Sequence, residues 1–339
     1  MSEQAIDEHA LGEWLDANVE GFSSPFELSK FTAGQSNPTY RIRSASGDYV
    51  LRRKPFGPLL PSAHAVDREY RLISALHPVA FPVPEPLALC SDPEVIGAVF
   101  YVMEMAKGRA YANGALPEFD PSARKRIYEQ LVDTLAELHT IDPESAGLGD
   151  FGKPGNYFER QVRRWTRQYR DSETDFIPEM ERLIVFLPES LPEQSGISVV
   201  HGDYRIDNVM FDGDGSLTAV LDWELATLGD PLADFSYFAM QWAMPADGGA
   251  GLAELDLAKL GIPSLEQVAL RYSERSGVPV AAKLDWYFAY NLFRLAGIVQ
   301  GIKKRVLDGT ASHEKAAEMA RRVPMLAKAA WSFAEKAGA

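Results

Sequence analysis

The sequence predicts a two-lobed α+β protein, with a small antiparallel β-rich N-terminal lobe over residues 1–105 and a larger α-helical C-terminal lobe over 106–339. Two observations support this prediction. Short β-like runs separated by turn residues fill the early part of the chain, whereas long helical patterns follow Gly108. The chain of 339 residues, 46% hydrophobic and 24% charged, also has the length for two lobes and a globular composition. We place the boundary near 104–110 and find no internal repeat.

The N-terminal lobe is predicted to contain one sheet and two helices. Apolar residues on helical spacing indicate helices over 5–19 and 63–76. Runs rich in β-branched and aromatic residues predict strands. Gly, Asn, Ser and Pro between these runs mark the turns. The predicted strands cover 27–33, 39–44, 49–53, 85–90 and 98–103.

The C-terminal lobe is predicted to be mostly helical. Asp120-Pro121-Ser122 is a helix start signal ahead of a long amphipathic pattern. Three short apolar runs, 197–200, 209–211 and 217–221, interrupt the helices and are predicted to be strands. The predicted helices cover 122–141, 156–171, 231–244, 264–276, 283–306 and 312–338.

Composition argues against several classes of protein. The net charge of −14 disfavours binding to nucleic acid or to an anionic membrane. A single cysteine, Cys90, rules out an internal disulfide and a cysteine metal cluster. No apolar run approaches the roughly 20 residues of a membrane helix, and residues 1–16 do not resemble a signal peptide. We therefore expect a cytoplasmic protein, a monomer or homodimer, with neither nucleic-acid nor membrane partners.

Residues 201–208 read His-Gly-Asp-Tyr-Arg-Ile-Asp-Asn, and Leu-Asp-Trp follows at 221–223. Phosphoryl transfer from a metal-bound nucleotide needs a group that accepts the hydroxyl proton, a cation for the moving phosphate, and oxygen ligands for magnesium. Asp203 suits the first task and Arg205 the second, while Asn208 and Asp222 suit the third. Two alternatives stay open: Asp203 as a surface carboxylate, and Arg205 in a salt bridge with Asp207.

Together these residues resemble the kinase fold, and specifically the aminoglycoside phosphotransferase-like family. The strings at 49–55, 67–70, 201–205 and 221–224 are close to one group of that family, which includes bacterial phosphotransferases and the kinase-like domains fused to some acyl-CoA dehydrogenases. The resemblance covers nearly the whole chain. It implies a protein-kinase-like fold with ATP, or alternatively GTP, and Mg²⁺ as cofactors.

The resemblance also implies roles on the nucleotide side. The family has a Lys on the strand position that pairs with the phosphates and with a helix Glu. Period-two alternation here places Arg52 rather than Lys54 on that face, and Glu69 would be its partner. A turn over the phosphates, for which a plain hairpin turn is the alternative, and a hinge whose backbone pairs with adenine complete the set: Gly34, Ser36 and Asn37, then Glu104 and Met105.

Four polar residues around the motif have structural alternatives. We expect His201 to hold the loop backbone rather than to act as a base. Asp234 would cap the helix near 231 or tie the loop down. Asp230 is a turn residue or a substrate-side group, and Glu224 either helps with a second metal or lines the site.

The acceptor side offers a stripe of arginines. Arg160, Arg163, Arg164 and Arg167 fall on one helix face. This stripe is either a solvated face balanced by nearby acids or an anion site for an acidic substrate such as an acyl-CoA. Nearby aromatic residues, Trp165 among them, either pave a substrate channel or belong to the core.

The predicted function is ATP- and Mg-dependent phosphorylation of a small-molecule hydroxyl, with a hydroxyacyl-CoA or hydroxy acid as acceptor. One alternative is an aminoglycoside or antibiotic phosphotransferase, which would need acidic walls for a cationic acceptor. Another is a nucleotide-binding pseudokinase module, which the departure at Arg52 favours slightly. A protein kinase is disfavoured because Asp222 is followed almost at once by the turn at Gly229-Asp230-Pro231.

Overall fold

The computed structural model describes residues 6–31, 37–56, 65–247, 249–280, 283–309 and 316–339. Within them the chain forms the predicted two-lobed α+β architecture. The N-terminal region holds α1 (Glu8–Asn18), β1 (Phe26–Lys30), β2 (Thr39–Ser44), β3 (Gly47–Arg53), α2 (Val66–Leu76), β4 (Pro86–Cys90) and β5 (Phe100–Glu104). The strands form an antiparallel sheet in the order β1-β2-β3-β5-β4.

Alternation along β3 separates the two faces of this sheet. Leu51 is fully buried against Leu11 and Leu15 of α1, in an apolar cluster that belongs to the small lobe. Val50 and Arg52 point to the other face, towards the cleft, and β3 register pairs them with Met103 and Tyr101 of β5. The amphipathic helix α1 therefore covers one face and leaves the other for the site.

The C-terminal region contains nine α-helices within the described ranges and two short pairs of antiparallel strands. The helices are α3 (Pro121–Thr140), α4 (Tyr157–Ser172), α5 (Pro178–Glu189), α6 (Pro231–Ala239), α7 (Leu257–Leu260), α8 (Leu265–Ser276), α9 (Asp285–Leu307), α10 (Ala316–Ala320) and α11 (Val323–Ala337). The strands β6 (Ser198–Val200) and β9 (Thr227–Gly229) pair with each other, as do β7 (Val209–Phe211) and β8 (Leu217–Val220). No described helix combines the length and apolar character needed to cross a membrane.

Several predicted elements need correction. The prediction missed α5, α7 and β9. The helix predicted over 231–244 ends at Ala239 and continues as a short 3₁₀ turn. The helix predicted over 312–338 is two helices, because Pro324 lies in the first turn of α11 and starts a new helix there. Predicted residues 5, 32–33 and 63–64, and the start of the last helix at 312–315, lie outside the described ranges.

Candidate active site

The loop between β6 and β7 carries the motif, and α6 holds it in place. Asp234 of α6 is fully buried, and its carboxylate accepts hydrogen bonds from the backbone amides of His201 at 2.5 Å and Gly202 at 2.7 Å. Burial alone would raise the pKa of Asp234, but His139, His201 and the Gly202 amide hold it below its ordinary value. Gly202 is required because its φ is +83° and a Cβ there would lie 2.8 Å from the Leu225 carbonyl.

His201 has the structural role expected from the sequence. Its Nδ1 accepts a hydrogen bond from the Asp203 amide at 3.1 Å, so Nε2 carries the proton that is donated to the Leu221 carbonyl at 2.9 Å. An imidazole with both nitrogens engaged in hydrogen bonds to the backbone is not available as a general base. It instead links the loop to the end of β8.

Asp203 lies half-buried at the centre of the loop. The side-chain amide of Asn208 donates to the Asp203 carboxylate and to its backbone carbonyl, both at 2.9 Å. Tyr237 lies one helical turn beyond Asp234 on α6, and burial together with the charge of the nearby Asp203 carboxylate raises the pKa of its hydroxyl to about 12. These contacts fix the direction of a carboxylate that still has an oxygen lone pair for a ligand.

Asn208 and Asp222 are brought side by side. The Leu221 amide donates to the Asn208 backbone carbonyl at 2.8 Å, which places Asp222 next to Asn208. Because Asn208 uses its amide nitrogen towards Asp203, its side-chain oxygen is left for a cation. Among the described residues, no cluster of three His, Cys, Asp or Glu could hold a metal. This pair of oxygen ligands fits Mg²⁺, which takes few protein ligands when phosphate oxygens complete its shell.

Arg52 joins the two lobes at this point. Its Nε lies 2.7 Å from Glu69 Oε2, and its Nη2 lies 2.7 Å from Asp222 Oδ1 and 3.8 Å from Glu224 Oε2. Burial works to lower the pKa of Arg52, but these acids raise it above its ordinary value. Lys54 instead pairs with Asp67 at 2.9 Å. Of these two basic residues it is therefore Arg52 that lies next to Glu69, as expected from the alternation along the strand.

Glu69 is shared between three partners. Besides Arg52, it accepts hydrogen bonds from Asn37 Nδ2 at 2.7 Å and from the Tyr101 hydroxyl at 3.3 Å. Burial, the largest cause, raises its pKa to about 7. Asn37 is itself buried, so it anchors the end of the predicted phosphate turn to this pair. Gly34 and Ser36 lie outside the described residues.

The segment between the lobes offers fewer amides than expected. The Glu104 amide donates to Glu85 at 2.9 Å and the Met105 amide donates to Asp48 at 3.4 Å, both within the backbone. The amide of Ala106 donates to no described residue, so it is left for a base. A cavity of about 500 Å³ opens beside this segment, between the β2–β3 turn and Lys107.

Two predicted site residues have other partners. Asp207 binds the guanidinium of Arg205 through both oxygens, and this contact raises the pKa of Arg205. Asp230 is fully buried, where it caps α6 by accepting the Leu232 amide at 2.8 Å and also binds Ser195. The substrate-side role predicted for Asp230 is therefore wrong in this structure, because a buried cap presents no oxygen to an acceptor.

The arginines of the stripe on α4 contact nearby residues or are exposed to solvent. Arg163 is exposed and pairs with Glu159 at 2.7 Å, Arg160 donates to the Lys153 carbonyl at 2.6 Å, and Arg167 is exposed. Arg164 differs, because its guanidinium lies 5.2 Å from the ring centroid of Trp165. Most of the stripe thus behaves as a solvated face.

Sequence reasoning missed two residues beneath the loop. Tyr237 contacts Asp203, and Arg294 of α9 donates to the Gly202 carbonyl at 2.5 Å. The signal for Arg294 was a single cation within an otherwise apolar stretch of a buried helix, residues 286–299. Tyr237 gave no comparable signal, since aromatic residues are common in such helices.

Comparisons with known proteins identify the family of this chain. A sequence profile described as the phosphotransferase enzyme family matches residues 27–270. Acyl-CoA dehydrogenase family member 10 of Mus musculus is 44% identical over 338 residues, which make up 98% of this chain and 32% of that protein. Acyl-CoA dehydrogenase family member 11 of Rattus norvegicus is 38% identical over 340 residues, with shares of 97% and 43%. The matched part of the chain thus spans less than half of these relatives' length.

Solved structures show the same fold. A crystal structure from Ralstonia eutropha, provisionally assigned as an aminoglycoside phosphotransferase, is 43% identical, covers 98% of this chain and 99% of that one, and has a TM-score of 0.89. An aminoglycoside phosphotransferase solved as a ternary complex with AMP-PNP and hygromycin B has a TM-score of 0.61 at 18% identity, covering 94% of this chain and 98% of that one. The predicted kinase-like fold is confirmed.

Proposed function

This chain belongs to the phosphotransferase enzyme family, and from that premise we propose that it transfers a phosphoryl group from ATP to a hydroxyl of a small molecule. One observation carries the proposal: Asp203, Asn208 and Asp222 converge through the Asn208–Asp203 bonds and the Leu221–Asn208 bond. The close approach of Asp203, Asn208 and Asp222, the proposed base and metal ligands, supports an active enzyme over the pseudokinase alternative.

Each residue has a distinct role in the proposed reaction. Asp203 orients the acceptor hydroxyl and takes its proton late, because the transition state is loose. Asn208 and Asp222 would hold Mg²⁺, which would offset the negative charge of the transferred phosphate. Arg52 supplies a cation on the phosphate side, held towards it by Glu69.

ATP is the proposed donor. A structural neighbour binds AMP-PNP, and the backbone groups of Glu104 and Ala106 border the cleft where a base would lie. The GTP alternative finds no support in these comparisons.

For the acceptor we propose a hydroxyacyl-CoA or a related hydroxy acid. The support is the similarity, over 98% of this chain, to part of an acyl-CoA dehydrogenase family member. The antibiotic alternative is supported by a neighbour that binds hygromycin B, although at 18% identity that neighbour shows the fold alone. The buried cation Arg294, which contacts the residue before Asp203, favours an acceptor that is not cationic.

A panel of acceptors tests this function. ADP release would be measured with hydroxyacyl-CoAs, hydroxy acids, simple alcohols and aminoglycosides, using Asp203→Ala as the matched control. We expect turnover in the wild type and a loss of about 10³-fold or more in Asp203→Ala with an unchanged Tm. Full activity in Asp203→Ala would contradict the proposed role of Asp203. Preferred turnover of aminoglycosides would show that the acceptor is an aminoglycoside rather than a hydroxyacyl-CoA or hydroxy acid.

A further inference from the structure

Arg294 is buried directly beneath the catalytic loop. Its side chain lies in the middle of α9 with 7% of its surface exposed, and its Nη2 donates to the Gly202 carbonyl. Its Nε is buried without a hydrogen-bond partner. Within the described part of the chain, Arg294 forms no ion pair with a carboxylate. A buried guanidinium with no carboxylate in an ion pair is costly, so an anionic or strongly polar ligand would stabilise it here.

Aromatic rings and the catalytic carboxylate surround this guanidinium. Its central carbon lies 5.0 Å from the ring centroid of Tyr237 on α6 and 5.4 Å from that of Trp165 on α4. Tyr237 in turn contacts Asp203, and Asp203 is the carboxylate whose charge acts on Arg294. Arg164 lies against the same Trp165 ring, which adds a second positive charge on this side. The acceptor side of Asp203 is therefore positive and partly apolar.

These contacts are separate from the nucleotide side. Arg52 contacts Glu69, Asp222 and Glu224, and none of these residues contacts Arg294. Arg294 contacts Gly202, the residue directly before Asp203 in the chain. Both α9 and the loop belong to the C-terminal lobe. An oxygen bound by Arg294 would belong to the acceptor rather than to the nucleotide.

We propose that Arg294 binds a carbonyl-type oxygen of the acceptor, in a carboxylate or a thioester, and thereby places the neighbouring hydroxyl at Asp203. This inference rests on the proposed function, because it concerns the acceptor of the same site. It assigns acceptor selectivity to a residue of α9, whereas the sequence had indicated the arginine stripe on α4.

Three alcohols that differ in whether and how they carry a carbonyl group test the inference. Hydroxybutyrate carries a carboxylate, hydroxybutyryl-CoA carries a thioester, and butanediol carries neither. We would measure kcat and KM for each by ADP release, and Kd for ADP by calorimetry, in wild type, Arg294→Met, Arg294→Lys and the exposed control Arg321→Met. Because Arg294→Met also removes the donor to Gly202, its Tm is recorded, and Arg294→Lys, which keeps the charge, serves where Arg294→Met does not fold.

The expected result has two parts. Wild type and Arg321→Met should prefer at least one carbonyl-bearing alcohol to butanediol, and the preferred compound identifies the carboxylate or the thioester as the source. Arg294→Met should raise KM for that compound by roughly ten- to a hundredfold with Kd for ADP unchanged, and Arg294→Lys should recover part of the loss.

Three results would overturn the inference. The first is a wild type that shows no preference for a carbonyl-bearing alcohol, and the second is a preference that survives in Arg294→Met. The third is an equal fall in kcat for all three alcohols, which would make Arg294 a support for the Gly202 carbonyl alone. Failure of the proposed function looks different, since the wild type would then release no ADP with any acceptor, aminoglycosides included.

Discussion

Arg52 holds carboxylates from both lobes with a single guanidinium. Nε faces Glu69 of α2, while Nη2 faces Asp222 beyond β8, both at 2.7 Å. A lysine at this position has one ammonium group and cannot be directed to both acids with the same geometry. The arginine therefore competes with a metal ion for Asp222, a ligand that the proposed magnesium site needs.

This competition gives a prediction for Arg52→Lys. The ammonium should release Asp222 for part of the time, so Mn²⁺ should bind the nucleotide-free variant about tenfold more tightly than the wild type. Titration of Mn²⁺ followed by electron paramagnetic resonance measures this directly. Adding Asp222→Asn should abolish the gain, and an unchanged Mn²⁺ affinity in Arg52→Lys would show that Arg52 does not compete.

Glu69 should make stability depend on pH. Its folded-state pKa is raised from 4.5 to about 7, so the folded protein holds this proton more tightly than the unfolded chain does. The resulting stability is complete below pH 4.5 and is lost as the pH rises through about 7. The Tm of the wild type minus that of Glu69→Gln should therefore fall across this window, and a difference that stays flat would contradict the raised pKa.

At the scale of the element, α6 begins with two buried aspartates that have different tasks. Asp230 caps the helix and binds Ser195, whereas Asp234 accepts the His201 and Gly202 amides of the catalytic loop. Replacing either with Asn leaves one amide donor without its acceptor, so we expect both variants to lose about 1 to 3 kcal/mol of folding free energy. Chemical denaturation measures this loss.

Activity should separate the two aspartates. Asp234→Asn should lower kcat because the loop that carries Asp203 loses its anchor, whereas Asp230→Asn should keep kcat near the wild-type value. The Asp230 variant is thus the matched control for destabilisation without displacement of the loop. Equal losses of kcat in the two variants would argue against a specific anchoring role for Asp234.

Elements with a strong local signal could be predicted from the sequence, and others could not. The strand over 39–44 matches β2 because its alternation and flanking turns are clear, and Asp120-Pro121-Ser122 located α3 to within a residue. The helix α5 was missed because Pro178 and Pro188 lie at its two ends and interrupt a helical sequence pattern. β9 has three residues, and its pairing with β6 is not visible in a local pattern.

The candidate site shows the same limit. Asp203, Asn208 and Asp222 were identified because their spacing in the chain is itself informative. Arg294 lies 92 residues beyond Gly202, so only the packing of α9 under the loop shows that they meet. A long-range contact made by one side chain leaves no periodic trace in the sequence.

At the scale of the molecule, contacts on both sides of the cleft join the lobes. Besides the Arg52–Asp222 pair, Arg68 of α2 donates to the Phe151 carbonyl at 2.7 Å and covers the Phe151 ring at 4.1 Å, and the Val220 amide donates to Pro82 at 2.7 Å. The position of α2, and with it Glu69, therefore depends on the C-terminal lobe.

Weakening this contact should loosen α2 without unfolding the protein. Arg68→Ala removes one hydrogen bond and a ring contact, a loss of about 1 kcal/mol. We expect faster amide hydrogen exchange over 66–76 and weaker ADP binding, with exchange in α11 unchanged. Lys328→Ala, at an exposed position of α11, is the control, and identical exchange over 66–76 in both variants would show that Arg68 does not hold the lobes.

The position of Tyr237 has a consequence for how such a protein diversifies. Asp234, which accepts the backbone amides of the loop, and Tyr237, which lies near the Asp203 carboxylate, are both on α6. Trp165 and Arg294, in contrast, lie on α4 and α9. In the proposed mechanism, substitutions on α4 and α9 would change which molecule is modified while α6 keeps the catalytic loop in place, so new substrate preferences could arise without a new reaction mechanism.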